Sequence, residues 1–213
     1  MLEINQQYEN QIIINKSRFI AILYPITEKD HIANALDDAK IKYPKATHYC
    51  YAATLGDQRT WATYQDNGEP KGTAGLPILD VIDHHQLTNA LCVVIRYYGG
   101  IKLGAGGLVR AYSNATSEVL KNAQFMEKRL IYGYQLTFGY ALINQMESIL
   151  SSHANIIDKQ FLKDVTYQVN AFEPNMHILD DIKHLIHIEK TQDSYIYIPI
   201  EKGSLKNKVV NTK

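Results

Sequence analysis

The residues best equipped for chemistry lie in the run R-Y-Y-G-G-I-K-L-G-A-G-G-L-V-R-A-Y, positions 96–112, which holds five glycines and three basic side chains. The apolar run before it, residues 91–95, reads as a buried strand. Leu108, Ala111, Tyr112, Ala115 and Val119 after it recur at helical spacing and read as the inner face of an amphipathic helix. A glycine-rich turn entering a helix leaves backbone N–H groups free at the positive end of the helix dipole. Such a turn suits a phosphate or a carboxylate. The predicted anion site comprises Arg96, Lys102, Gly104, Gly106, Gly107 and Arg110, with Lys71 and Arg18 extending the basic patch. Tyr97 and Tyr98 are candidates to stack on bases, one of them turned to the core by strand alternation. Neither a P-loop nor a G-x-G-x-x-G dinucleotide turn fits, because no Lys-Ser or Lys-Thr follows and no third glycine falls in register.

A second loop, D-N-G-E-P-K-G-T-A-G at 66–75, gathers two carboxylates, a lysine, a hydroxyl and three glycines. It reads either as a ligand clamp or as a structured turn whose carboxylates satisfy backbone N–H groups. No catalytic residue is assigned; if the chain is an enzyme, Asp66 or Glu69 is the general base. His48 and Cys50 share a strand face at i and i+2 but lack an orienting third group, so a buried thiol beside a hydrogen-bonded histidine is expected. Asp80, Asp83, His84 and His85 lack the spaced ligands of a metal helix. No metal and no cofactor is expected.

These residues must be held by something. The chain has 213 residues, enough for one large or two small domains with cores. Its 22 basic and 22 acidic residues balance, so any surface for nucleic acid must be local. Cys50 and Cys92 sit in strand-like sequence and read as buried thiols. No run approaches a membrane span or a signal peptide, and a soluble cytoplasmic protein without membrane contact is expected.

Residues 11–25 read as a hairpin turned near Asn15-Lys16-Ser17. T-E-K-D from Thr27 reads as a capping box with Asp30 at the third helical position, opening a helix that stops before Pro44. Strands at 47–55 and 59–64 lead to the 66–75 loop, a helix from about Pro77 and the strand at 91–98. Met126-Glu127-Lys128-Arg129 reads as a polar joint. Beyond it a strand at 134–140, a helix face on Leu142, Met146, Ile149 and Leu150, a strand pair at 156–162 and 165–170, a helix through Ile186 and a strand at 194–199 give the order βαββαβ of a ferredoxin-like domain. The domains expected are 1–125 and 131–200, with a basic tail at 201–213.

K-S-R-F-I-A (16–21), A-T-H-Y-C-Y-A (46–52), the 66–75 loop and residues 96–115 together resemble the YigZ/IMPACT family, across nearly the whole chain. Tyr49 stands where that family usually has Asn. The resemblance implies an α+β protein: an N-terminal two-layer α/β domain with a left-handed βαβ unit, as in domain IV of elongation factor G, plus a C-terminal ferredoxin-like domain similar to that factor's domain V. It implies a translation-associated regulator that binds RNA or the ribosome through the Gly-rich loop, with a protein partner as a further expectation. The alternative is an enzyme acting on a small phosphorylated or carboxylated substrate at the same loop.

Overall fold

The apolar run at 91–95 has no alternation because the strand that contains it is covered on both faces. In the computed structural model, which describes residues 1–174 and 176–200, that strand is the centre of a five-stranded antiparallel sheet. The first elements are β1 (Leu2–Glu3), β2 (Tyr8–Ile14), β3 (Ser17–Pro25), α1 (His31–Lys42), β4 (His48–Leu55), β5 (Trp61–Gln65), α2 (Gly75–His84), β6 (Ala90–Tyr97) and α3 (Gly104–Asn122). The sheet order is β2-β3-β6-β4-β5.

Alternation along β6 sends Leu91, Val93 and Ile95 to the face covered by α1, where they meet Ile20, Ile22, Ala35 and Ala39. It sends Cys92 and Val94 to the other face, against Ile78 and Ile82 of α2 and Leu108, Ala111, Tyr112, Ala115 and Val119 of α3. The α+β class holds, with one difference in layering: helices lie on both faces, so the sheet is the middle of three layers rather than one side of two. A strand apolar on both faces requires that cover.

The β2–β3 hairpin turns on Asn15 and Lys16, both at positive φ (46° and 65°), as a two-residue turn matched to strand twist requires. The capping box is not formed. Helix α1 starts at His31 without a side-chain cap, because residues 28–32 close tight turns, His31 N–H to Glu28 O and Ile32 N–H to Lys29 O.

The described residues divide into two compact units, Met1–Glu127 with Pro199 and Ile200, and Lys128–Ile198. Residues 126–129 are not a loop: they open β7 (Met126–Phe138), whose first residues pair with β1. After β7 come α4 (Ile143–Leu150), β8 (Ala154–Phe161), β9 (Val165–Ala171), β10 (Ile186–Lys190) and β11 (Ser194–Pro199), all in the second unit except the last residue of β11. That unit's order β10-β7-β9-β8, antiparallel throughout, is the ferredoxin-like arrangement. The fourth strand is β10 rather than residues 194–199, and a 3₁₀ stretch (His177–Leu185) stands where a second α-helix was expected. Its core gathers Leu136, Phe138, Met146, Leu150, Tyr167 and Leu179. No helix among the described residues is long and apolar enough to cross a membrane. The expected basic tail, 201–213, lies outside the described residues.

Candidate functional site

Three adjacent strands each put a polar residue on the sheet face under α2 and α3. Arg96 follows Cys92 and Val94 on that face of β6, His48 lies directly opposite it on β4, and Ser17 starts β3. Apolar sequence around Arg96 carries the guanidinium into the interior, and its side chain is only 6% exposed. A buried cation needs a partner, and the 66–75 loop supplies one. Arg96 Nη1 donates to Glu69 Oε1 at 2.6 Å, with Glu69 itself 4% exposed, and Nη2 donates to Ser17 Oγ at 3.4 Å. Such a pair contributes little net stability, since desolvation offsets attraction, but breaking it strands a charge.

The network extends into α3. Tyr112, fully buried, donates its hydroxyl to the same Glu69 oxygen at 2.8 Å, and burial pushes its phenol well above the usual range. Cys50 donates its thiol to the Asp66 carbonyl (2.9 Å) and the Tyr112 hydroxyl (3.3 Å), and burial pushes the thiol up to about 12. A thiol so held is not a nucleophile at neutral pH, which agrees with the reading of Cys50 as structural. His48 Nδ1 lies 2.8 Å from the Asn67 carbonyl, which can only accept, so Nδ1 carries a proton, and in the neutral form of the ring Nε2 is the acceptor. That Nε2 is 3.9 Å from Glu69 Oε1.

The two carboxylates of the loop have different fates. Asp66 accepts from the amides of Gly72 (2.8 Å), Ala74 (3.1 Å) and Gly75 (2.9 Å), closing the loop and capping α2. It is a turn residue. Glu69 instead reaches a cleft of about 420 Å³, whose walls also include His48, Arg96, Tyr98, Lys102 and Gly104. Helix α3 starts at Gly104 (φ 71°) with no side-chain cap, leaving its first amides open.

Of the residues predicted for an anion site, the structure brings Arg96, Lys102 and Gly104 together in the cleft. Gly106, in the first turn of α3, has open space around it, whereas Gly107 packs on Leu103, which a Cβ would approach to 3.1 Å. Arg110 turns back to the Gly106 carbonyl (3.2 Å) and Arg18 stacks on Tyr97 at 4.3 Å. Lys71 is exposed outside the cleft wall. Tyr97 donates to the Pro44 carbonyl, while Tyr98 stays 46% exposed with its ring 5.4 Å from the Arg96 guanidinium. Sequence reasoning missed Tyr112, Ser17 and Asn67 as parts of the network. Among the described residues no three His, Cys, Asp or Glu side chains are grouped to hold a metal ion.

The chain that carries this arrangement is similar to known proteins. Residues 15–120 match the Impact N-terminal domain. The chain is 36% identical over 164 residues to the IMPACT family member YvyE of Bacillus subtilis, covering 76% of this chain and 73% of that relative. The chain belongs to the IMPACT family. An IMPACT family member of Haemophilus influenzae is 34% identical over 197 residues, covering 90% and 86%. A crystal structure of a hypothetical protein, 27% identical, matches with a TM-score of 0.58 over 94% of this chain and 97% of that one. Arg96, Glu69, His48, Ser17 and Tyr112 all fall inside the matched domain.

Proposed function

We propose that this IMPACT family member is a translation-associated regulator that binds RNA or the ribosome by seating a phosphate in the cleft at the start of α3. The observation that carries the reading is the charge arrangement of the cleft. Arg96 is balanced by Glu69, so the charge left over at the mouth is that of exposed Lys102, beside open amides of α3. Helix N-terminal amides and a lysine together form a phosphate seat. Tyr98, exposed on the same wall, offers a ring for a base to stack on.

The test is ribosome co-sedimentation and RNA binding across salt concentration. Lys102→Ala weakens binding at every sequence and lowers the log–log salt slope by about one unit, because a phosphate contact releases a counterion and reads no base. Arg110→Ala, outside the cleft, leaves the slope near the wild-type value. A Lys102→Ala protein that binds as the wild type does, with the same slope, ends the reading.

A second reading rests on Glu69 and His48 lining the cleft: an enzyme on a small phosphorylated substrate, with Glu69 as the base. Asp66 is committed to backbone amides and drops out of that reading. It predicts lost turnover in Glu69→Gln with RNA affinity unchanged.

A further inference from the structure

Glu69 is a carboxylate in a cleft otherwise suited to an anion, and its geometry is lopsided. Arg96, Tyr112 and His48 all approach the same oxygen, Oε1. No hydrogen bond reaches Oε2 among the described residues, although the side chain is 4% exposed. Oε2 is not among the buried side-chain atoms that lack a partner, so it is open to solvent on the cleft that Glu69 lines, and an arriving donor takes the place of water there. Beside it His48 presents Nε2, also without a hydrogen bond and held in that orientation by the Asn67 carbonyl. Glu69 and His48 therefore each offer a polar atom without a protein hydrogen bond in the lining of the same cleft as Lys102 and Gly104.

A phosphate cannot sit against Glu69 Oε2, since both are anionic. The group that fits there is a hydrogen-bond donor. A ligand in this cleft therefore carries an anion for Lys102 and the α3 amides and, within a few ångströms, a neutral donor for Glu69. In a nucleic acid strand the group of that kind fixed next to the phosphate, whatever the base, is the 2′-hydroxyl of ribose, and it is also what separates RNA from DNA at a site.

We propose that the free oxygen of Glu69, with His48 Nε2 beside it, takes the 2′-hydroxyl of a ribonucleotide whose phosphate lies at Lys102, making the cleft selective for ribose. This rests on the RNA reading above and adds its substrate class. Glu69 is the specificity residue; Arg96 and Tyr112 are positioning residues that fix its Oε1.

The test is a fluorescence titration of the full chain with oligouridylate and oligodeoxyuridylate of equal length, which differ at the 2′ position alone. A hydrogen bond to a charged acceptor predicts about tenfold or more tighter binding of the ribo strand. Glu69→Gln keeps an acceptor for Arg96 and Tyr112 but removes the charged acceptor from the cleft; the uncovered Arg96 charge acts on both strands alike, so the readout is the ratio of the two affinities, and the ribo preference falls toward one. If loss of the charge under Arg96 unfolds that variant, His48→Asn serves: it can keep the bond to the Asn67 carbonyl, removes Nε2 and lowers the same preference. Equal binding of both strands, still weakened by Lys102→Ala, overturns the ribose proposal and leaves the RNA reading standing. Displacement of the oligomer by ribose 5-phosphate at equal concentration keeps the hydroxyl acceptor and overturns the RNA reading. No binding of either strand removes both.

Discussion

Glu69 and Arg96 show how one residue can be worth more to a site than to stability. Replacing the pair together by apolar side chains is close to neutral in such settings, whereas removing one partner leaves a stranded charge. Glu69→Ala is therefore expected to lower unfolding free energy by about 3–5 kcal/mol, measured by urea titration, and Glu69→Gln by less, since the amide oxygen still accepts from Arg96 and Tyr112. The two thiols give a separate residue-scale prediction. Burial raises both Cys50 and Cys92 to about 12 from an ordinary value of 9.0. Below the ordinary value both folded and unfolded chains keep their protons, and nothing is lost. Between about 9 and about 12 only the unfolded chain ionises, so stability falls as pH rises through that window, by about 1.4 kcal/mol per pH unit for each thiol. Urea midpoints at pH 8 and pH 10 show this fall, and a Cys50→Ala, Cys92→Ala double variant shows less of it. Equal slopes in the two proteins count against the burial account.

At the scale of elements, the glycines of the 96–112 run divide into those that shape the fold and those that leave a surface open. Gly99 lies against the β2–β3 hairpin: a Cβ there would come within 2.1 Å of the Lys16 carbonyl carbon, which is backbone and cannot give way. Gly99→Ala is expected to cost more than about 2 kcal/mol and to loosen that hairpin, visible as faster amide exchange in β2 and β3. Gly106 has open space and an ordinary helical place, so Gly106→Ala is expected to stabilise α3 by about 0.5–1 kcal/mol in thermal unfolding. If the phosphate approaches that backbone, the same change weakens RNA binding in a protein that is more stable, a separation that a general folding defect cannot produce. The inner face of α3 was legible because residues 108–119 repeat at helical spacing, and β6 because its apolar run excludes an exposed face. The division between Asp66 and Glu69 was not. It depends on the path of a turn through Asn67 (φ 44°) and Gly68 (φ 87°), which no periodicity encodes. The inward aim of Arg96 was readable in principle, since positions 92, 94 and 96 alternate together, but its charge drew it into a surface patch instead. In the second unit, Ile186 continues the helical spacing of Ile182 and Leu185, so the helix was read through Ile186; that left only Ile188 as an apolar signal for β10, and the last strand was placed at 194–199.

For the whole molecule, each compact unit carries its own apolar cluster, one built on Phe19, Val94, Leu108 and Tyr112, the other on Leu136, Tyr167, Met146 and Leu179. We propose that the two behave as separate folding units whose boundary lies within β7 rather than at a flexible joint. The cleft and every residue of its polar network belong to the first unit. Leu136, fully buried, belongs to the second. Leu136→Ala deletes buried methyl groups and leaves a cavity, a loss of about 2–5 kcal/mol. If the units unfold separately, that loss appears in hydrogen exchange of β7 beyond Lys128, β8 and β9, while protection of β3, β6 and α3 stays at the wild-type level. Oligouridylate affinity and its salt slope then also stay unchanged, because nothing that touches the ligand has moved. Loss of protection across both units in Leu136→Ala would mean that they unfold as one, and a loss of affinity without any change in β3, β6 or α3 would mean that RNA reaches beyond the cleft onto the second unit.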